Sequence, residues 1–181
     1  MQQIGVDEVG YGAWAGPLVI CALKFIKETD ILFFDSKSIS ERIREELFQV
    51  LQTISIYQIG FGSVEEINEL GLASAYKKTL LRALNNFDGE VFIDGRKPKY
   101  LECTAIIKGD QKMQCISAAS IVAKVIRDNM MKDLAMYYPQ YGFENNKGYG
   151  TKFHIDAIGQ HGLSKMHRIC YKIDKYAKID K

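Results

Sequence analysis

The chain has 181 residues, 47% of them hydrophobic and 25% charged, with a formal net charge of +2. That balance fits an ordinary globular domain and excludes disordered and fibrous classes. The longest apolar stretch, residues 16–26, is interrupted by Lys24 and falls short of the roughly 20 residues of a membrane span, so a chain with no membrane association is expected.

In chain order, QQIGVDEV and AGPLVICALKFI are rich in aliphatic and β-branched residues and flank a Gly-rich turn, which predicts an antiparallel hairpin. A helix follows with Ser40 as N-cap and Ile43, Leu47, Val50 and Leu51 on its apolar side; ISIYQIGFG then alternates as a third strand. Ser63 and Glu66 form a capping box for the next helix, and a further helix over residues 73–84 runs to an Asn-Asn break. EVFIDG and CTAIIKGD read as short strands that end on Asp94 and Asp110. Residues 115–138 predict a long helix stopped by Pro139. Glycine-punctuated loop follows, then a helix from Thr151, and a last helix from about Lys165 with Ile169, Ile173 and Tyr176 on its apolar side. Residues 1–137 are expected as a core, and 138–181 as a helical C-terminal extension packed on it.

Cys21, Cys103, Cys115 and Cys170 are scattered without a C-x-x-C pair, so free thiols in a reducing compartment, the cytoplasm, are expected. Charge is unevenly distributed: from residue 145 onward there are eight Lys or Arg against three Asp, a local +5 that leaves −3 for the rest. All three histidines, His154, His161 and His167, lie in this segment among Tyr149, Phe153, Tyr171 and Tyr176. Cations interleaved with rings suit a nucleic acid, and equally a solvated helical face.

Asp7 and Glu8 after the first strand, Asp94 after VFI, and Asp110 after AIIKG would converge if those strands are neighbours. Clustered like charges need a cation. An all-carboxylate set without His or Cys favours a hard ion, Mg²⁺ or Mn²⁺, and such sites hydrolyse phosphodiesters. Singly, each acid is also an ordinary turn residue. A dinucleotide-binding reading of Gly10, Gly12 and Gly16 fails on spacing, on the strand that follows, and on the two carboxylates beside the turn.

GVDEVGYGAWAGPLV, FIDG, IIKGDQKMQCISAASIVAKVIRD, YPQYGFENNKGYGTKFHIDAI and MHR, in that order, resemble the signature segments of the ribonuclease HII family, the type 2 ribonucleases H. The resemblance implies an α/β, ribonuclease H-like fold: a mixed five-stranded sheet flanked by helices with a helical C-terminal extension. It implies a metal-dependent endoribonuclease that cuts the RNA strand of RNA–DNA hybrids and cuts 5′ of ribonucleotides embedded in duplex DNA. The ends are 3′-OH and 5′-phosphate, and two ions of Mg²⁺ or Mn²⁺ serve the catalytic complex; a monomer is expected. The family's metal-binding and catalytic acids fall on Asp7, Glu8, Asp94 and Asp110, and Asp128 falls in a supporting position behind Arg127. Its backbone-contacting loop corresponds to Gly10, Tyr11 and Gly12, with Tyr11 where the family usually has Arg. Its junction-sensing tyrosine is Tyr149. Lys37, Lys124, Lys147 and Lys152 are candidate phosphate contacts. The alternative is a nucleic-acid-binding protein or DNA nuclease of the same fold without ribonucleotide specificity.

Overall fold

The computed structural model describes residues 2–176. Eleven strands and α-helices can be named in chain order among these residues: β1 (Gln3–Val9), β2 (Leu18–Phe25), α1 (Glu41–Ile54), β3 (Ser55–Gly62), α2 (Val64–Leu70), α3 (Leu72–Leu84), β4 (Glu90–Asp94), β5 (Thr104–Ile106), α4 (Gln114–Tyr137), α5 (Phe143–Asn146) and α6 (Lys152–His161). The sheet has the order β3-β2-β1-β4-β5. The expected hairpin is present, with β1 antiparallel to β2 and Asp7 opposite Cys21. β4 runs parallel to β1, and β5 parallel to β4. The mixed five-stranded sheet expected from the sequence is therefore the observed one.

The chain divides into two compact units. The first takes the residues up to Val9, Val19–Gly60 and Leu80–Val125; the second takes Gly10–Leu18, Phe61–Thr79 and the chain from Ile126 onward. Residues 138–176, the described part of the expected extension, fall within the second unit together with residues 126–137, which run directly into them, and with Gly10–Leu18 and Phe61–Thr79.

In the first unit the core is the aliphatic faces of β1 and β2, where Ile4, Val6, Val19, Ile20, Ala22 and Leu23 are buried, together with Ile116, Ala119 and Val122 of α4. Gly5 sets how closely α4 can lie: a Cβ there would sit 2.1 Å from the carbonyl carbon of Cys115. Only a glycine lets this helix start rest directly on β1. Ser40 caps α1 as expected, accepting from the Ile43 N–H. Ile43 is exposed, however, and that face of α1 buries Arg44 instead, whose guanidinium donates to the Ser36 and Ile39 carbonyls.

In the second unit, Ser63 and Glu66 form the predicted capping box. Its core gathers Ala15, Met131, Ala135, Tyr141, Phe143, Ala157, Ile158 and Ile173. Thr151 caps α6 through the His154 N–H. The last helix expected from about Lys165 is not an α-helix: residues 169–171 and 173–176 form two 3₁₀ turns, separated at Lys172 by a left-handed residue of φ 52°. A left-handed backbone at Lys172 cannot continue an α-helix. Lys178, Asp180 and Lys181 of the basic segment lie outside the described residues.

Candidate active site

The first unit holds Asp7, Glu8, Asp94, Asp110, Lys37 and Lys124. Asp7 follows Gly5 by two, so its side chain leaves the same face of β1 as the face on which α4 starts. Val6 pairs with Ile93 in the parallel ladder, which makes Asp7 and Asp94 the next residues along two adjacent strands. β1, β4 and β5 run parallel, and the carboxyl ends of such strands are where open α/β sheets place their ligands. Asp110 does not end a strand as its KGD pattern predicts. β5 stops at Ile106, Lys108 turns left-handed at φ 55° and ψ 48°, and Asp110 lies inside the 3₁₀ turn Gly109–Gln111. That reversal brings the Gly109 N–H to 2.6 Å from Asp94 Oδ1. Asp110 thereby lies one residue from a bond to Asp94, and its carbonyl accepts from Ser117 Oγ at 2.7 Å.

The electrostatics of the four acids are those of a cluster. Burial raises Asp7 well above the usual carboxylate range, and Glu8, Asp94 and Asp110 push in the same direction, against the bond from the Glu8 N–H. Burial and then Asp94 raise Glu8 to about 7. Asp110 is raised by burial, by Asp35 and by Asp94. Lys37 opposes the rise at both Glu8 and Asp110. It is carried by a fixed loop, in which the Lys37 N–H donates to Asp35 Oδ1 at 2.9 Å and Ser120 Oγ donates to Ser36 Oγ at 2.7 Å. Asp35 adds a further acid beside Asp110, and nothing in the local DSK pattern distinguishes it from a turn residue. Lys124 is partly buried on α4.

Among the described residues no group of three or more Asp, Glu, His or Cys side chains is arranged to hold a metal ion. The donor chemistry nonetheless fits a hard cation: there are four carboxylates, two of them buried, and Asp94 and Asp110 add to the affinity of Asp7 and Glu8 for positive charge.

The second unit holds Gly10, Tyr11, Gly12, Asp128, Lys147, Tyr149 and Lys152. Gly10 and Gly12 are glycines for different reasons. Gly10 has φ 84°, and a Cβ there would lie 2.1 Å from Arg127 Nε. At Gly12 a Cβ would meet nothing within 4 Å. Tyr11 is exposed and its ring meets Tyr76 edge-on at 5.7 Å, whereas the neighbouring Trp14 stacks on Tyr176. Tyr149 is 36% exposed with Arg127 Cζ 5.6 Å from its ring centroid. Asp128 is buried. Lys147 has its ammonium on the Glu144 carbonyl, and Lys152 pairs with Asp156 at 3.3 Å.

Two of the three histidines are not part of a basic surface. His154 and His167 are buried, with their Nε2 atoms 3.0 Å apart. Burial lowers both, and His154 helps bring His167 down to about 4, so each is neutral at pH 7. Cys21, Cys103, Cys115 and Cys170 are free, as expected. No helix among the described residues is long and apolar enough to cross a membrane.

The sheet order and the carboxylates at the ends of its parallel strands define the class, a ribonuclease H-like α/β fold. The family model for ribonuclease HII matches residues 4–174. A curated ribonuclease HII of Wolbachia pipientis is 42% identical over 171 residues, covering 91% of this chain and 87% of its own. The crystal structure of ribonuclease H2 from Pyrococcus horikoshii has a TM-score of 0.75 at 29% identity and covers 97% of this chain and 98% of its own. Ribonuclease HII from Archaeoglobus fulgidus, solved in complex with PCNA, shares the fold with a TM-score of 0.78 at 22% identity, covering 93% and 94% of the two chains. The chain belongs to the ribonuclease HII family and is a metal-dependent endoribonuclease.

Proposed function

We infer that the chain hydrolyses the RNA strand of RNA–DNA hybrids and cuts 5′ of ribonucleotides embedded in duplex DNA, leaving 3′-OH and 5′-phosphate ends. The observation that carries the reading is the acid cluster formed by Asp7, Glu8 and Asp94 at the ends of β1 and β4 with Asp110 on the 3₁₀ turn, in which Asp94 and Asp110 both raise Asp7 and Glu8. Asp7, Glu8, Asp94 and Asp110 would hold two Mg²⁺ or Mn²⁺ ions. When bound, such ions supply a water activated at neutral pH and a counter-charge for the leaving oxygen. The chain's own residues prepare the site. The Gly109 N–H orients Asp94, the Glu8 N–H orients Asp7 at 2.8 Å, and Lys37 supplies positive charge beside Glu8 and Asp110. Gly12 leaves open space where a sugar-phosphate backbone can approach, and Tyr149 offers a partly exposed ring to the deoxyribose that follows the ribonucleotide. Lys37, Lys124, Lys147 and Lys152 are assigned to phosphates; the exposed Lys152–Asp156 ion pair exchanges readily for such a contact. The protein acts as a cytoplasmic monomer. The reading is tested by offering a long RNA–DNA hybrid, a duplex with one embedded ribonucleotide and an all-DNA duplex. Cleavage of the first two alone supports it, and cleavage of the all-DNA duplex favours a nuclease without ribonucleotide specificity.

Two further outcomes follow from the geometry. Gly12→Ala meets no steric obstacle in the fold, so its melting temperature should stay within a few degrees of wild type or rise, as Gly→Ala in an unstrained turn is worth about 0.4–1 kcal/mol. Binding of the duplex should weaken, because the added methyl fills the approach. Unchanged binding would remove Gly12 from the interface.

The raised acids predict a pH-dependent stability. Glu8 titrates near 4.5 when unfolded and at about 7 when folded. The metal-free folded state therefore holds its proton over that interval, and the stability linked to this group falls as pH rises through it. In EDTA the melting temperature should decline between pH 5 and 7. Mg²⁺ or Mn²⁺ should raise it more at pH 7.5 than at pH 5, since cations displace protons from the cluster. Equal metal-induced shifts at both pH values would speak against binding at these carboxylates.

A further inference from the structure

The Gly10-Tyr11-Gly12 turn lacks the cation usual for its family, yet two buried guanidiniums lie under it. Arg127 donates from Nε to the Pro17 carbonyl at 2.9 Å, from Nη2 to Ala15 at 3.1 Å and from Nη1 to Lys147 at 2.8 Å. Arg168 donates from Nε to Gly16 at 2.9 Å and from Nη1 to Gly10 at 2.6 Å and Tyr11 at 3.2 Å. The Tyr171 hydroxyl also donates to the Tyr11 carbonyl. Both arginines are 0% exposed, and Arg168 Nη2 has no partner among the described residues. Burying two like charges side by side is unfavourable, and burial together with Arg127 lowers Arg168 to about 10, still cationic at neutral pH. A pair so placed calls for a role beyond filling space.

The role follows from peptide geometry. In a trans peptide the C=O and N–H point in opposite directions. With the Gly10 and Tyr11 carbonyls drawn toward Arg168, the N–H groups of Tyr11 and Gly12, which share those two peptide planes, point away from it. The other N–H groups of the loop are used within the fold: Ala13 donates to Gly10, Trp14 and Ala15 to Gly148, and Gly16 to Met166. Among the described residues those of Tyr11 and Gly12 donate to nothing, and the space beside Gly12 is open. Two adjacent outward N–H groups backed by buried positive charge make an anion-binding turn.

We propose that Arg168, with Arg127 beside it, is a positioning residue that clamps the Gly10-Tyr11-Gly12 turn by its carbonyls, so that the Tyr11 and Gly12 N–H groups are held ready for a substrate phosphate. The proposal rests on the ribonuclease reading above and adds to it the source of the turn's grip. A guanidinium that touched phosphate itself would tolerate lysine, which keeps the charge. A carbonyl fork does not, because one ammonium cannot span the positions of Gly10, Tyr11 and Gly16.

The test is Arg168→Lys, with a duplex carrying one embedded ribonucleotide as the probe. Binding is measured by anisotropy in EDTA at several salt concentrations, and cleavage kinetics are measured with Mg²⁺. The expected result is a Kd and KM raised about ten-fold, kcat at saturation within two-fold of wild type, and an unchanged slope of log Kd against log salt, since no charge is lost. A folded variant whose Kd stays within two-fold of wild type overturns the clamp, as does a fall in kcat with no change in Kd. If Arg168→Lys does not fold, Tyr171→Phe, which removes the other donor to the Tyr11 carbonyl, is measured with the same two outcomes. A wild-type chain that binds the duplex but cuts no ribonucleotide defeats the ribonuclease reading while leaving the clamp measurable by Kd; one that does not bind defeats both.

Discussion

Asp94→Asn and Asp110→Asn should each lower turnover by about 10³-fold or more, roughly 4 kcal/mol of activation free energy, while the protein stays folded and binds duplex. Asparagine keeps the carboxylate's shape and its acceptor oxygen. The bond from the Gly109 N–H to position 94 can therefore persist, and the turn that carries Asp110 keeps its support. What is lost is charge. Asp94 raises Asp7, Glu8 and Asp110 alike, so removing it relieves repulsion in the metal-free state. Asp94→Asn should therefore melt at or above the wild-type temperature in EDTA at pH 7.5 and gain less from added Mg²⁺. Active-site acids commonly lower stability in this way. Turnover within ten-fold of wild type in both variants would remove these carboxylates from the metal site.

Tyr149→Ala should cost about ten-fold or more on a duplex with one embedded ribonucleotide and about three-fold or less on a long RNA–DNA hybrid. The phosphates of the two substrates are alike, so discrimination must rest on the 2′-hydroxyl. A ring lying on the sugar after the ribonucleotide stacks on deoxyribose and is crowded by a hydroxyl at the same place. Stacking of a ring on a base is worth roughly 1–3 kcal/mol by alanine substitution, and a ring laid on a sugar is placed toward the low end of that range, which sets the ten-fold scale. Arg127, 5.6 Å from the ring centroid, supports the ring from within its own unit. Equal losses on the two substrates would show that the ring contributes only general binding.

Much of the fold is legible in the sequence because its signals are local. The hairpin, the Ser40 cap and the Ser63–Glu66 capping box each depend on residues a few positions apart, and all three appear where expected. Asp7, Glu8 and Asp94 are legible because Gly10 and Gly95 mark where β1 and β4 stop. Other features depend on partners far along the chain. The left-handed Lys108 carries no glycine signal, so the 3₁₀ turn around Asp110 reads as more strand. His154 and His167 read as surface cations because nothing local shows that they bury each other. Arg168 counts as one more positive charge until its guanidinium is found on carbonyls over 150 positions earlier. Gly10 and Gly12 look alike in sequence, and only the structure separates the glycine the fold requires from the one it does not.

The acid cluster is expected to cut nucleic acid at ribonucleotides with divalent metal. It is tested most directly on a labelled DNA duplex carrying a single ribonucleotide, incubated with Mg²⁺, Mn²⁺ or EDTA and mapped to single-nucleotide resolution. The expected result is one cut on the 5′ side of the ribonucleotide with either metal, a 3′-OH and a 5′-phosphate at the break, and no cut in EDTA. Cleavage that persists in EDTA, that falls elsewhere in the strand, or that is absent with both metals would contradict it.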